Sequence, residues 1–140
     1  MGTISDEVRK WLEFLAKALG ILLYRIAGIR EKNPDDGYKE VKQYFNEECD
    51  IDLDYILSLN NDQMLKYLKE KRFNHIHLEN FAAILFEMND FVKQNENRIN
   101  VLEKAKFIFN ELSKKDKAYS IERENKIKKI ETVIKSLQNI

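Results

Sequence analysis

Asn33-Pro34-Asp35-Asp36-Gly37 holds the only proline of this 140-residue chain and the last of its four glycines. From Tyr38 to Ile140 neither residue occurs. Turns between paired strands draw on residues that tolerate positive φ, and glycine and proline are the strongest punctuators of a backbone. Helices joined by Asn, Asp, Ser and Lys need neither. The stretch therefore separates one long helix before it from a run of helices after it. The expectation is an all-α fold of six or seven helices in antiparallel hairpins, forming a single helical domain over 1–140. Its N-terminal helices occupy 5–72 and its C-terminal helices 74–140.

Before the stretch, Ser5 is placed to cap a helix whose first turn carries Asp6 and Glu7 against the positive end of the macrodipole. Its main apolar stripe is Val8, Leu12, Leu15, Leu19, Leu22, Ile26 and Ile29, at steps of three and four. A second stripe of Phe14, Ala18 and Ile21 widens the apolar face beyond that of an ordinary surface helix. Lys10, Glu13, Lys17 and Tyr24 alone make a wet strip, and Arg25 falls inside the apolar sector. Such a helix is either central to the fold or buried against a second copy of itself. A membrane span over Trp11–Ile29 is excluded by Glu13, Lys17 and Arg25, since each charge near a bilayer centre costs about 2.5–3.5 kcal/mol.

After the stretch, Asn33 and Pro34 fit the cap and first position of helix 2, with Asp35 or Asp36 as other starts. That helix carries Tyr38, Val41, Phe45 and Cys49 on one face. Asp52 opens a short helix. Asn60 with Gln63 reads as a capping box for the next. Asn74 caps a fifth helix whose uninterrupted apolar run, Phe81–Phe86, marks it as a core helix ended by Asn95–Asn97. A sixth helix is expected over Arg98–Ser113, followed by a solvated connector at Lys114–Lys117. Ser120 caps a seventh, in which Ile127, Ile130, Ile134 and Leu137 form the seam of an antiparallel pair with helix 6.

Charged residues make up 34% of the chain, above the usual ~25%. The net charge is zero, so no overall field recruits nucleic acid or anionic membrane. The charge is nonetheless segregated. Residues 31–62 hold ten acidic side chains against three basic, and residues 103–140 hold ten basic against six acidic. Complementarity within the fold or between subunits is the expected use. From Lys114 onward the basic tail holds one aromatic residue, Tyr119, that could stack on a base, so nucleic acid is not an expected partner. The lone Cys49 excludes an internal disulfide framework and fits a reducing compartment. The opening residues lack the basic and apolar regions of a secretory leader, so a cytoplasmic location is expected.

No chemical motif holds. Asp50, Asp52 and Asp54 match the first ligands of a calcium loop, but Tyr55 and Asn61 stand where glycine and glutamate are needed. His75, His77 and Glu79 alternate, which separates them on a helix, and surface or partly packed histidines are expected. Cys49 lies among Glu47, Glu48 and Asp50 near a helix C-terminus, the opposite of what activates a thiol. No catalytic, cofactor-binding or metal-binding residue is assigned, and no enzyme or cofactor is expected.

Asp36-Gly37-Tyr38-Lys39-Glu40-Val41-Lys42-Gln43-Tyr44-Phe45 and Val101-Leu102-Glu103-Lys104-Ala105-Lys106-Phe107-Ile108-Phe109 share a spacing. A small or apolar residue at Val41 and Ala105 precedes an aromatic at Phe45 and Phe109 by four positions. This resembles the second helix of a tetratricopeptide (TPR) unit, though without its first-helix signature and at a longer period. With Gly37-Tyr38 and the Ile51-Asp52-Leu53-Asp54…Leu57-Ser58-Leu59-Asn60 linker, the chain is similar to a group of small bacterial all-helical proteins with a domain of unknown function. The resemblance implies a TPR-like bundle and supplies no catalytic residues.

The expected function is a non-enzymatic protein–protein interaction module, self-associating as a homodimer through helix 1, with Phe14, Ala18, Ile21 and Arg25 as its candidate surface. The alternative is a small-ligand or lipid-binding bundle. Its cavity would be lined by Phe81, Phe86, Met88, Phe91, Phe107 and Phe109, with Arg25 or Tyr24 at the mouth.

Overall fold

Local signals set most helix starts. In the computed structural model, which describes residues 5–116 and 120–139, the Ser5 hydroxyl accepts from the Val8 amide at 3.2 Å and starts α1, Asp6–Lys32. Asp52 caps α3, Leu53–Ser58, through the Tyr55 amide. Asn60 and Gln63 close a reciprocal capping box on α4, Asn61–Glu70. Ser120 caps α7, Ile121–Gln138, through the Arg123 amide. With α2 (Gly37–Cys49), α5 (His75–Met88) and α6 (Asn95–Lys115), the described residues form seven α-helices and one 3-10 turn, Asn89–Phe91, and contain no strand. The fold is all-α.

Three boundaries differ from the sequence reading. Asn33 does not cap α2. Its amide closes α1 by donating to the Ile29 carbonyl at 2.8 Å. α2 starts at Gly37, where a Cβ would lie 2.8 Å from the Phe91 ring, so the close approach of this ring requires glycine. Asn95–Asn97 does not end α5. That helix stops at Met88 and the 3-10 turn follows, while Asn95 is the first residue of α6. α6 also continues to Lys115, so Lys114 and Lys115 belong to the helix rather than to a connector; Lys117 and Tyr119 lie outside the described residues.

Side-chain contacts give the helix directions. The Tyr44 hydroxyl of α2 donates to the Ala18 carbonyl of α1 at 2.7 Å, and the short linker makes α1 and α2 an antiparallel hairpin. α5 and α6 form a second hairpin, tied at its turn by Arg98 to Asn89 at 2.8 Å. α1 and α5 are parallel: His77 meets Leu12 near their starts, and Arg30 reaches Glu87 and Asp90 near their ends. α7 returns antiparallel to α6, with Arg123 beside Ser113 and Lys126 over the Phe109 ring. α3 and α4 bridge the two hairpins.

Most of the expected core positions are buried, while Val8, Leu12, Tyr38 and Phe86 are only partly so. Leu15, Leu19, Leu22 and Ile26 of α1 meet Phe81, Ile84, Leu85 and Met88 of α5 in one cluster. Phe45 and Phe109, the paired aromatics, are both fully buried, as are Val41 and Ala105 four residues before them. α5 is buried continuously from Phe81 to Leu85, as expected of a core helix touched on several sides. Each such Leu, Ile or Phe contributes roughly 1.5–3 kcal/mol by leaving water.

Candidate functional site

The outer face of α1 is the strongest candidate. Phe14 is 45% exposed, Ile21 39% and Tyr24 88%, and Arg25 is exposed beside them. Trp11, half-buried, stacks on Phe14 with ring centroids 5.7 Å apart. Gly20 and Gly28 lie on the same exposed side with no atom within 4 Å of where a Cβ would stand. Among the described residues no contact explains these two glycines, and each costs a helix interior about 0.5–1 kcal/mol relative to alanine. The exposed strip is thus wider than Lys10, Glu13, Lys17 and Tyr24.

Ala18 departs from the expected surface. It is buried at 4% exposure, under α2, where Tyr44 bonds its carbonyl. The second stripe is therefore split: Ala18 packs inside the chain, while Phe14 and Ile21 stay in solvent. Arg25 pairs with no described carboxylate and stands in solvent at the α1–α2 groove.

The segregated charges pair locally where they pair. Asp54 pairs with Lys42, Asp50 with Lys71, and Arg123 with Glu79 and Asp116. Among the described residues, no ion pair joins an acid of 31–62 to a base of 103–140.

A cleft of about 590 Å3 opens between the start of α2, α3, the 3-10 turn and the start of α6. Leu57, Phe91, Val92 and Val101 supply its apolar wall, and Tyr38 and Asp54 its polar one. Asp54 accepts from Lys42 and Tyr38, which hold its carboxyl below the usual range, Lys42 foremost. Burial, reinforced by Asp54, pushes the Tyr38 hydroxyl up. The carboxylate stays charged and the phenol stays neutral near pH 7, so neither is poised for proton transfer there. Of the six residues expected to line a cavity, this cleft contains only Phe91. Phe81, Met88 and Phe109 are fully buried, and Phe81 packs against Phe45 and Phe73.

The rejected motifs have structural duties. Asp50 ends α2 with a left-handed backbone (φ 56), and Asp52 caps α3. Cys49 is fully buried, and burial pushes its thiol up to about 12, with Glu48 adding to the effect. His75 is exposed, whereas His77 is 1% exposed.

Lys104 and Arg123 are buried charges that the sequence reading did not single out. Lys104 donates to the Leu59 carbonyl at 2.7 Å and to Asn100 at 3.2 Å, while Asn100 donates to the Leu57 carbonyl at 2.9 Å. Together they satisfy carbonyls left open at the end of α3. Arg123 pairs with Glu79 on α5 and with Asp116 at 2.8 Å. Both were visible as charges inside apolar spacing: Lys104 falls among Val101, Ala105 and Ile108, and Arg123 precedes Ile127 by one turn.

No helix of the described residues is long and apolar enough to cross a membrane. No family model, curated protein or solved structure matches this chain.

Proposed function

We propose that this chain is a TPR-like interaction module whose partner is a second copy of itself, docked on the outer face of α1. The observation that carries the reading is Phe14, Ile21 and Tyr24 standing in solvent on the first helix of a stack. The parallel α1 and α5, each followed by an antiparallel helix, support the TPR-like reading. So does Phe45 of α2 packed on Phe81 of α5. In stacked hairpins each unit buries its face on the next, and a terminal unit left in water carries a polar outer face. α1 does not: its outward side presents two large apolar side chains, a tyrosine and two bare glycine positions.

Charge favours a second copy over an unrelated partner. Among the described residues, no acid of 31–62 pairs with a base of 103–140, so two copies can pair them between chains.

Sedimentation velocity of the wild type and a Phe14→Ala, Ile21→Ala double variant, at low and high salt, tests the proposal. The wild type should sediment as a dimer that weakens with salt, and the double variant as a folded monomer. A wild type that is monomeric at all concentrations overturns it.

A further inference from the structure

We propose that His77 is a proton-operated latch that holds the first turns of α1 against α5. Its ring sits where two backbone groups demand opposite things of it. The Asn74 amide can only donate, and it donates to Nδ1 at 2.9 Å. The Leu12 carbonyl of α1 can only accept, and Nε2 lies 2.9 Å from it. A neutral imidazole protonated on Nε2 satisfies both. An imidazolium has two donors and no acceptor, so it sets N–H against N–H at Asn74. That breaks the capping box which starts α5, in which the Asn74 side chain accepts from the His77 amide.

Among the described residues, only the Leu12 carbonyl beside the ring favours a positive charge. Phe73, from the α4–α5 linker, packs edge-on with centroids 5.8 Å apart. α1 contributes the Leu12 carbonyl, while the flanking Lys10 and Glu13 are exposed. On α5 itself, His75 opposes a second charge, and Glu79 is engaged with Arg123 of α7. Burial is the main influence holding the imidazole below its ordinary range, against the pull of the Leu12 carbonyl.

The direction follows. A released His77 takes up a proton near the ordinary value of about 6.5, and the latched one does so only at lower pH. Between those two values acid favours release, by up to about tenfold per pH unit for one proton. The turns set free carry Trp11 and Phe14, so release also weakens pairing through α1; this second consequence rests on the proposed dimer.

Trp11 is the only tryptophan and adjoins Leu12, so its emission reports the latch. The experiment follows Trp11 emission from pH 7.5 to 4.5 in the wild type, His77→Gln and Ile21→Glu, together with NMR titration of the His77 ring. Glutamine can accept from the Asn74 amide but carries no proton to titrate. The wild type should show a reversible one-proton transition below pH 6.5 that coincides with the His77 titration and keeps most helix content. His77→Gln should lack it. Ile21→Glu should retain it, which separates the latch from pairing. Flat wild-type emission, midpoints that do not coincide, the same transition in folded His77→Gln, or its loss in Ile21→Glu overturns the latch. If His77→Gln does not fold, the wild-type coincidence decides. A wild type found monomeric at neutral pH overturns the dimer and leaves the latch to be judged by Trp11 alone.

Discussion

The rings of Phe45 on α2 and Phe81 on α5 meet with centroids 5.4 Å apart and planes tilted by 53°. Both side chains are fully buried, and this contact joins the second helix of one hairpin to the first helix of the next. Truncating either leaves a void where the two hairpins meet. We expect Phe45→Ala and Phe81→Ala each to lower stability by about 3–5 kcal/mol. Urea unfolding checks this, and a loss under 1 kcal/mol would mean that the hairpins are not held together there.

Glycine positions on the two helices should respond with opposite signs. At Gly37 a Cβ would stand 2.8 Å from the Phe91 ring, so Gly37→Ala should destabilise by about 1–3 kcal/mol. Gly20 and Gly28 have open space, so alanine there should stabilise the isolated chain by about 0.5–1 kcal/mol. Thermal unfolding of the three variants distinguishes the cases.

Arg123 pins the start of α7 to α5. Arg123→Ala leaves Glu79 and Asp116 unpaired, at side-chain exposures of 34% and 46%. Because water reaches both carboxylates, we expect a loss of about 2 kcal/mol rather than the larger cost of a dry pair. Hydrogen exchange should show α7 losing protection before α1 and α5 do. Uniform loss along the chain would contradict a local anchor.

Cys49 gives a pH signature. Its thiol stays protonated in the folded chain up to about 12, while in the unfolded chain it ionises near the ordinary ~8.5. The folded state then binds more protons, so its stabilising contribution is complete below about pH 8.5 and is lost as pH rises from there towards 12. The difference in urea midpoint between the wild type and Cys49→Ala should shrink across that range. In the native protein, Cys49 should react with a thiol reagent only as fast as the chain opens.

Much of this was legible in the residues. Ser5, Asp52, Asn60, Asn74 and Ser120 announced their helices, because a capping side chain acts within four residues of itself. The apolar run of α5 and the Ile127–Leu137 seam showed burial for the same reason: helical periodicity is local. What was not legible depends on distant contacts. Gly37, rather than Pro34, is the first residue of α2, and the Phe91 ring that requires glycine there comes from far along the chain. Ala18 lies under Tyr44 although its spacing groups it with Phe14 and Ile21. His77 was separated from His75 on the helix, but its bond to Leu12 needed the parallel packing of α1 on α5, which no sequence pattern carries.

Light scattering during size-exclusion chromatography of the wild type and Ile21→Glu tests the central claim most directly. The wild type should have a mass of twice 16.7 kDa, and Ile21→Glu should be a folded monomer. A wild-type monomer, or an Ile21→Glu variant that remains dimeric, would contradict docking on the outer face of α1.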